Sequence, residues 1–246
     1  MMGETRVLAI IPAYNEAASI VGVARSVLDR KYPPGVKVDA LVVDDGSTDD
    51  TSALCRQNGI PVETLQNNLG IGGAMQCGYH RALERKYDIA FQFDGDGQHD
   101  ADCVDTLLTP ILEDRADFVI GSRFLEASGD GFRSTRLRRL GIRWISAMLV
   151  VLSKRRITDP TSGFRAANAR VIALFARRYP HDYPEPESTL WLLGDGYRVM
   201  ETATTMRARV HGRSSIGALK SVHYMFKVTM ALLIARFGRK RGRRGG

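Results

Sequence analysis

The chain has 246 residues, of which 44% are hydrophobic and 25% charged, so the composition indicates a folded globular protein and excludes a disordered one. Its three cysteines, Cys55, Cys77 and Cys103, are odd in number and form no CxxC pair, which argues against a disulfide framework or a zinc site and fits a reducing, cytosolic compartment. The net charge of +8 is concentrated in residues 133–156 and 236–246, which hold eight and six basic residues and no acidic one, an arrangement that suits an anionic partner.

Four short apolar runs, rich in valine and isoleucine, have the length of buried parallel strands. They cover residues 7–11, 40–43, 89–93 and 118–120. Apolar residues at spacings of three and four predict helices over residues 16–30, 51–58, 74–86 and 101–113, and Ser47, Thr48 and Asp49 are candidate caps for the second helix. This alternation predicts an α/β fold with a parallel sheet covered on both faces. Ligands of such sheets bind beyond the carboxyl ends of the strands.

The alternation of strands and helices stops after residue 121. A basic amphipathic stretch runs through residues 154–156, and a connector rich in proline and glycine follows over residues 159–163. Further on, the sequence predicts a helix over residues 167–177, a short helix over residues 188–193, strand-like segments over residues 197–210 and a last helix over residues 216–237 that ends in the basic tail. We expect this half to form one side of the functional site.

The most informative motif follows the third predicted strand. Asp94, Asp96 and Gln98 place two carboxylates and a carboxamide at alternate positions, and Gly95 and Gly97 allow the backbone to approach a ligand closely. Oxygen ligands suit Mg²⁺ or Mn²⁺, which commonly keep waters and bridge substrate phosphates. The motif therefore predicts a divalent-metal site and a substrate that carries a diphosphate. Acidic turns also occur for structural reasons alone, so the other strand ends have to support this interpretation.

Polar side chains also follow the first two predicted strands. Pro12, Tyr14 and Glu16 lie at the end of the first strand, and Asp44 and Asp45 lie at the end of the second. Aspartate and serine after a strand are common helix caps, which is the structural alternative for each segment taken singly. Three acidic strand ends at one crevice are harder to explain in that way.

Taken in order, five segments resemble the motifs of family 2 inverting glycosyltransferases, and the resemblance spans most of the chain. The segments are residues 12–16, 44–48, 94–99, 121–123 and 159–165. The third segment has an Asp-x-Asp-x-Gln-His form that ends at His99 and is most similar to dolichol-phosphate mannose synthases and bacterial polyprenyl-phosphate hexosyltransferases. The resemblance implies a GT-A nucleotide-sugar-binding fold, a nucleotide-sugar donor and bound Mg²⁺ or Mn²⁺.

The resemblance also implies a donor site and a metal site. The residues implied for the donor are Pro12, Tyr14, Glu16, Asp44, Asp45, Asp94, Arg209, Arg213 and Ser214. Within this set, Asp45 would contact the base or ribose, and the last three residues would belong to a late loop that closes over the phosphates. The implied metal ligands are Asp94, Asp96 and Gln98.

The expected catalytic residues are Asp96, Arg123 and Glu187. A cation and an arginine stabilise the charge that develops on a nucleoside diphosphate leaving group, although a solvated surface position is the simpler explanation for any single arginine. A lipid phosphate acceptor is already an anion and needs no strong general base, whereas a sugar hydroxyl needs one. Candidates for that base are Asp182, Glu185 and Glu187, and the alternative is that they lie in an exposed proline-rich loop.

Two segments, residues 136–152 and 216–237, pair apolar faces with flanking cations, as helices in a lipid interface do. The alternative is that they are ordinary helices packed on the protein core, which show the same spacing of apolar residues. Residues 222–235 are interrupted by Lys227 and fall short of the roughly 20 residues that cross a bilayer, and the first residues do not resemble a secretory signal. We therefore expect a cytoplasmic protein that is peripheral at the inner face of the cell membrane, with residues 1–215 as the catalytic domain and residues 216–246 as an amphipathic helix and polybasic tail.

The expected function is metal-dependent, inverting transfer of a hexose from a UDP-sugar or GDP-mannose to polyprenyl phosphate at the cytoplasmic membrane face. The enzymatic alternative is transfer to a hydroxyl of a lipid-linked glycan or polysaccharide. The non-enzymatic alternative is a basic membrane- or RNA-binding protein, but carboxylates repel phosphate unless a metal intervenes, so the acidic strand ends argue against it. The expected partners are the donor, the acceptor, an anionic membrane surface and, as a further candidate, an integral membrane protein; nucleic acid is not expected.

Overall fold

A seven-stranded sheet lies at the centre of the fold. The computed structural model of the chain describes residues 4–125, 136–205 and 218–242. The strands are β1 (Thr5–Ala13), β2 (Val36–Asp44), β3 (Val62–Thr64), β4 (Ile89–Gln92), β5 (Phe118–Ser122), β6 (Arg165–Asn168) and β7 (Val199–Ala203). Their order across the sheet is β3-β2-β1-β4-β6-β5-β7. Only β6 runs antiparallel to its neighbours in this sheet, so the predicted α/β fold with a mostly parallel sheet is confirmed.

Helices cover both faces of the sheet. They are α1 (Ile20–Leu28), α2 (Thr51–Gln57), α3 (Gly70–Glu84), α4 (Val104–Leu112), α5 (Arg136–Ser153), α6 (Ala169–Arg177), α7 (Pro184–Gly194) and α8 (Ala218–Gly242). Because side chains alternate along a strand, Leu8 and Ile10 of β1 pack in one core cluster and Val7, Ala9 and Ile11 in the other. The first cluster includes residues of α3, α5, α6, α7 and α8, and the second includes residues of α1, α2 and α4.

The strand β6 is a correction to the sequence-based prediction, which began a helix at residue 167. Arg165, Ala166 and Ala167 are fully buried and pair with β4 on one side and β5 on the other. The helix α6 begins only at Ala169, where the Asn168 side chain caps it by accepting a hydrogen bond from a backbone N–H of the first turn. Alanine favours a helix locally, but the open position between β4 and β5 in the sheet overrides that preference.

Several other boundaries differ from the prediction. The helix α1 begins at Ile20 and not at residue 16, because Asn15 adopts a left-handed φ of 56° and a turn follows it. The helix α7 begins at Pro184 and not at residue 188, since proline is tolerated in the first turn of a helix. Pro184 and Pro186 are buried, so the interpretation as an exposed proline-rich loop is wrong. The short strand β3 was not predicted, and residues 101–103 form a 3₁₀ turn before α4.

The helix α5 has two apolar faces. Ile145 and Leu149 are buried in the core, whereas Leu140, Trp144 and Val151 are exposed. In a helix of 3.6 residues per turn the three exposed residues share one face, which lies roughly opposite the buried pair. The outward face is therefore an apolar stripe that the core does not cover.

The helix α8 shows the same division. Val228 and Leu232 are fully buried in the core, while Phe226, Ile234 and Phe237 lie on the exposed side. The two helices are neighbours, and the indole N–H of Trp144 donates to Thr229 Oγ1 at 3.0 Å. The C-terminal helix thus packs on the core and also presents apolar side chains outward. Among the helices of the described part, none combines the length and the hydropathy that crossing a bilayer requires.

Candidate active site

The three polar strand ends lie at one edge of the sheet. β1 is the central strand of the three and pairs in parallel with β2 and β4, so their carboxyl ends point to the same side. Ala13 is level with Asp44, and Ile10 is level with Gln92. The loops that follow these strands, residues 14–19, 45–50 and 93–100, therefore face a common crevice. The site residues predicted after β1, β2 and β4 are brought together by this topology.

The loops after β1 and β2 are held together by hydrogen bonds. The backbone N–H of Asn15 donates to Ser47 Oγ at 2.9 Å, and the N–H of Thr48 donates to Asn15 Oδ1 at 2.8 Å. Asp49 accepts hydrogen bonds from the N–H groups of Ala17 and Thr51. Of the three candidate caps for α2, only Asp49 therefore binds an N–H of that helix, and the other two connect the loops. These contacts fix the crevice wall before any ligand binds.

The two aspartates after β2 have different surroundings. Asp44 is buried, and its carboxylate accepts hydrogen bonds from the Ser47 N–H and the Ser52 hydroxyl. These hydrogen bonds give Asp44 a structural role in the turn, and its contact with the donor stays a prediction. Asp45 accepts a hydrogen bond from the Leu69 N–H at 2.7 Å, and burial raises its pKa although the N–H groups at the start of α3 oppose that shift. Asp45 thus connects β2 to α3, and its contact with a base or ribose stays a prediction.

The other predicted donor residues lie at the end of β1. Tyr14 is exposed at the mouth of the crevice, and Pro12 is buried. The hydroxyl of Ser19 lies 2.9 Å from Glu16 Oε2 and 2.8 Å from the carbonyl oxygen of Gly95. The loop after β1 is therefore joined to the acidic turn as well as to the loop after β2. Arg209, Arg213 and Ser214 lie outside the described residues.

The acidic turn holds its side chains through local hydrogen bonds. Asp94 Oδ1 accepts from Gln92 Nε2 at 2.8 Å, and the Asp94 N–H donates to His99 Nδ1 at 3.0 Å. Asp96 Oδ1 accepts from the Gln98 N–H at 3.0 Å. Gly97 has a φ of 74°, in the left-handed region that favours glycine. The two carboxylates and the Gln98 side chain are partly exposed, as groups that bind a ligand must be.

His99 is a buried member of this turn. Its side chain is 1% exposed, and the ring packs against Phe93 and Phe164, with ring centroids 5.5 and 4.9 Å away. Because Nδ1 accepts a hydrogen bond, the neutral ring carries its proton on Nε2. Burial lowers the pKa of His99 more than the charges of Asp94 and Asp96 raise it, so the neutral form is favoured.

The oxygen atoms of Asp94, Asp96 and Gln98 fit Mg²⁺ or Mn²⁺ in their chemistry. Within residues 4–125, 136–205 and 218–242, no group of three or more histidine, cysteine or acidic side chains is placed to hold a metal ion without other ligands. This agrees with the habit of Mg²⁺, which binds through one or two carboxylates and completes its shell with waters and substrate phosphates. The site therefore fits a cation that arrives with a diphosphate.

A buried ion pair fastens the next loop to the end of β5. Arg123 Nε lies 2.6 Å from Asp159 Oδ2, its Nη2 lies 2.7 Å from Asp159 Oδ1, and the two side chains are 3% and 0% exposed. The interpretation of Arg123 as a solvated surface residue is therefore wrong. Glu201 of β7 anchors the same loop by accepting hydrogen bonds from the N–H groups of Thr158 and Asp159. The direct role of Arg123 at a diphosphate or acceptor stays a prediction.

Arg165 connects this loop to α7, and the sequence analysis gave it no separate role. The residue is fully buried, and its guanidinium donates to the carbonyl oxygens of Ser162 and Glu185 and to Ser188 Oγ. A polar residue at the start of an otherwise apolar strand was the available signal, because such residues are buried only with partners. The contacts set the position of the first turn of α7, which carries Glu185 and Glu187.

Two glutamates of α7 have raised pKa values. Burial raises the pKa of Glu185, and the positive charge of Arg165 partly opposes the shift. Burial is also the larger cause at Glu187, where the nearby charge of Asp182 adds to it and the pKa reaches about 7. A carboxyl group with a pKa near neutrality is suited to accept a proton, so Glu187 has the property expected of a general base.

A basic groove opens at the other end of the same loop. It has a volume of about 410 Å³ and is lined by Arg139, Arg143 and Arg156 together with apolar side chains that include Phe124 and Ile142. Among the described residues, no carboxylate lies within 4.0 Å of these three guanidinium groups. Thr158 also lines the groove, and the loop from Thr158 to residue 163 leads to the acidic turn. The groove therefore suits a ligand that is both anionic and apolar.

Comparisons with known proteins agree with this geometry. The sequence profile described as "Glycosyl transferase family 2" matches residues 8–174. An undecaprenyl-phosphate mannosyltransferase of Micrococcus luteus is 30% identical in an alignment of 249 positions, gaps included, that covers 98% of this chain and 99% of that protein. A UDP-N-acetylglucosamine–dolichyl-phosphate N-acetylglucosaminyltransferase of Methanococcus voltae is 29% identical over 196 residues, or 72% of this chain and 75% of that protein.

A solved structure shares the fold. It is the glucosyl-3-phosphoglycerate synthase of Mycobacterium tuberculosis, crystallised with Mn²⁺, uridine diphosphate and glucosyl-3-phosphoglycerate. The two structures superpose with a TM-score of 0.67 and are 22% identical in sequence, and the alignment covers 96% of this chain and 81% of the synthase chain.

Proposed function

The chain belongs to glycosyl transferase family 2 and has the GT-A fold, and on that premise we propose that it transfers a hexose from a nucleotide sugar to polyprenyl phosphate. The observation that carries this proposal is that the loop of residues 158–163 connects the acidic turn at one end to the basic groove at the other. The acidic turn lies beside residue 163, and the basic groove begins at Thr158. The residues proposed to bind a cation and those proposed to bind an anionic acceptor therefore lie at the two ends of the same loop.

Asp94, Asp96 and Gln98 would hold Mg²⁺ or Mn²⁺ on the donor side. The bound cation supplies positive charge to the diphosphate that leaves as the anomeric bond breaks. The structural neighbour of the same fold was crystallised with Mn²⁺ and uridine diphosphate, which is consistent with the use of a divalent cation. The protein's own contribution is to keep two carboxylates at fixed positions in a crevice whose walls are joined by hydrogen bonds. In-line attack by an acceptor on the opposite face of the sugar would invert the anomeric centre.

The basic groove supports a lipid phosphate as the acceptor. Its three arginines would bind the phosphate group, while Phe124 and Ile142 would contact the first part of the prenyl chain. The phosphate oxygen is already negatively charged, so it needs no strong base to attack the sugar. The names of the two relatives, an undecaprenyl-phosphate and a dolichyl-phosphate transferase, support the same class of acceptor.

The exposed apolar stripes of α5 and α8 support a position at the membrane surface. Trp144, Leu140 and Phe226 are exposed on neighbouring helices that also carry many cations. Side chains of this kind insert into the boundary between headgroups and acyl chains, and basic residues are drawn to anionic lipids. A peripheral location at the cytoplasmic face of the membrane would bring the groove close to the phosphate of a membrane-held acceptor.

A second candidate function is transfer to a hydroxyl of a lipid-linked glycan or polysaccharide. The observation that favours it is the pKa of Glu187, about 7, because a hydroxyl acceptor needs a general base and a phosphate does not. The two functions therefore differ in whether the Glu187 carboxylate takes part in the reaction.

The test is to incubate the protein with Mn²⁺, a panel of UDP-sugars and GDP-mannose, and either undecaprenyl phosphate or a lipid-linked glycan as the acceptor, and to identify the product by mass spectrometry. We expect one hexosyl-phosphoprenyl product, which Asp96→Asn should abolish. Asp102→Asn is the matched control, because Asp102 is an exposed acid outside the turn. Transfer only to glycan acceptors would replace the proposal with the second candidate, and absence of any transfer with every donor would refute both.

A further inference from the structure

The carboxylate of Asp94 lies in a close-fitting cradle made by three residues. Gln92 donates a hydrogen bond to Oδ1 at 2.8 Å. On the other side, His99 Nε2 lies 3.4 Å from Oδ2. The third residue is Gly163, from the loop that links the acidic turn to the basic groove. A ligand can therefore approach the carboxylate only from the side that faces away from these three residues.

Both polar members of the cradle are buried and have unused hydrogen-bonding capacity. His99 Nε2 and Gln92 Oε1 have no hydrogen-bond partner among the described residues. Nε2 lies 3.4 Å from Asp94 Oδ2 but makes no hydrogen bond to it in this arrangement of the side chains. Leaving a buried donor without a partner is unfavourable, so a merely structural histidine would be expected to satisfy it. The position of Nε2 makes sense if Asp94 Oδ2 is its partner when the carboxylate is drawn into a fixed orientation.

At Gly163, the neighbouring side chains leave no space for a Cβ, and the backbone conformation does not itself require glycine. It is absent from the glycines with a positive φ, so any residue could adopt its backbone angles. A Cβ at this position would lie 2.8 Å from Gln92 Nε2, 3.0 Å from Asp94 Oδ2 and 3.2 Å from Asp94 Oδ1. Such a Cβ would push against both the carboxylate and the amide that holds it. The absence of a side chain at residue 163 is therefore a condition for the observed position of Asp94.

We propose that Gln92, His99 and Gly163 are positioning residues that orient the Asp94 carboxylate for a divalent cation. This inference rests on the proposed function, because it concerns the same metal-binding turn. Oδ1 accepts a hydrogen bond from the buried Gln92 side chain, the buried His99 Nε2 lies 3.4 Å from Oδ2, and a side chain at residue 163 would press on both oxygens. Groups that bind metal ligands from behind fix the ligand orientation, and their loss typically weakens metal binding about 10–100-fold.

Two substitutions of His99 separate this role from simple packing. In His99→Asn the side-chain oxygen can still accept from the Asp94 N–H, but nothing reaches Oδ2. In His99→Gln the longer amide can place a donor where Nε2 was. If the Nε2 proton orients Asp94, His99→Gln keeps most of the affinity for Mn²⁺ and His99→Asn loses it. If the ring only fills space against Phe93 and Phe164, the two variants bind Mn²⁺ as the wild type does, and only their melting temperatures fall.

The measurement is Mn²⁺ affinity by electron paramagnetic resonance, with UDP or GDP present and with each melting temperature recorded. We expect about 10–100-fold weaker Mn²⁺ binding in His99→Asn and Gly163→Ala. The matched controls are His80→Asn, at an exposed position, and Gly22→Ala, where a Cβ meets nothing within 4 Å. Should His99→Asn fail to fold, Gly163→Ala and Gln92→Leu provide the same readout.

The outcomes distinguish this inference from the proposed function. A wild-type protein that binds Mn²⁺ while His99→Asn, Gln92→Leu and Gly163→Ala bind it equally well would overturn the inference and leave the proposed function intact. A wild-type protein that binds no Mn²⁺ with either nucleotide would overturn the metal site itself, and the inference with it.

Discussion

Removing one partner of the buried ion pair between Arg123 and Asp159 should strongly destabilise the protein. The two side chains are 3% and 0% exposed, and the carboxylate accepts two hydrogen bonds from the guanidinium and one from the Arg123 backbone N–H. Asp159→Ala would leave a buried guanidinium without its carboxylate. Removal of one partner of a buried pair costs about 3–5 kcal/mol, and for a chain of this length that lowers the melting temperature by roughly 6–20 °C.

The assay is urea unfolding of the wild type, Asp159→Ala, Arg123→Met and the double variant. The double variant should be more stable than the sum of the two single losses predicts, because neither charge is left buried alone. Arg115→Ala is the matched control, since its pair with Glu113 is of similar length but about half exposed, and such pairs contribute about 0–1 kcal/mol. A loss of less than about 1 kcal/mol in Asp159→Ala, equal to the control, would refute the burial that we assign to this pair.

Three further predictions concern the base, the packing of the sheet and the membrane surface. Burial raises the pKa of Glu187 from 4.5 to about 7, so ionisation of this carboxyl group lowers the stability of the folded state as the pH rises through that interval. Glu187→Gln should remove this loss of stability, as measured by thermal unfolding at several pH values. If the acceptor is a hydroxyl, activity should also fall below pH 7 and Glu187→Gln should abolish it, whereas transfer to a lipid phosphate should survive. Gly78→Ala should destabilise the protein by about 1–3 kcal/mol because the new Cβ overlaps Ile10, whereas Gly22→Ala, in an open part of α1, should stabilise the protein by about 0.5–1 kcal/mol. Equal effects of the two substitutions in unfolding experiments would contradict the packing of α3 on β1. Ile234→Asp should reduce the fraction of protein that co-sediments with phosphatidylglycerol vesicles without changing the melting temperature. Unchanged co-sedimentation would exclude the exposed apolar side of α8 from membrane contact.

The sequence predicted four of the five strands in the first half of the fold because each of those four contains a continuous apolar run, whereas the short polar strand β3 was missed. β1, β2, β4 and β5 are buried on both faces of a parallel sheet, so hydrophobicity alone marks them. It failed at β6, where Ala166 and Ala167 favour a helix locally and only the space between β4 and β5 makes them a strand. It also failed at Pro184, because a proline can end a helix or begin one.

The candidate site shows the same division between local and distant causes. The turn at Asp94 was found because its ligands are adjacent in the sequence and follow an obvious strand. Gln92 and Arg165 were not assigned roles, since each lies within a strand. Gln92 bonds to Asp94, two residues on, and the guanidinium of Arg165 reaches the carbonyl oxygen of Glu185, 20 residues along the chain. The partner of Arg123 was also hidden, because Asp159 lies 36 residues away. Spacing in a sequence indicates local geometry, whereas these pairs are created by the sheet topology.

The most direct test of the account is the position of Mn²⁺ in a crystal of the protein soaked with the ion and UDP or GDP. The account predicts an anomalous scattering peak between the carboxylates of Asp94 and Asp96 and the diphosphate, with metal–oxygen distances of roughly 2.0–2.3 Å. A nucleotide bound elsewhere, with no peak at the acidic turn, would contradict it.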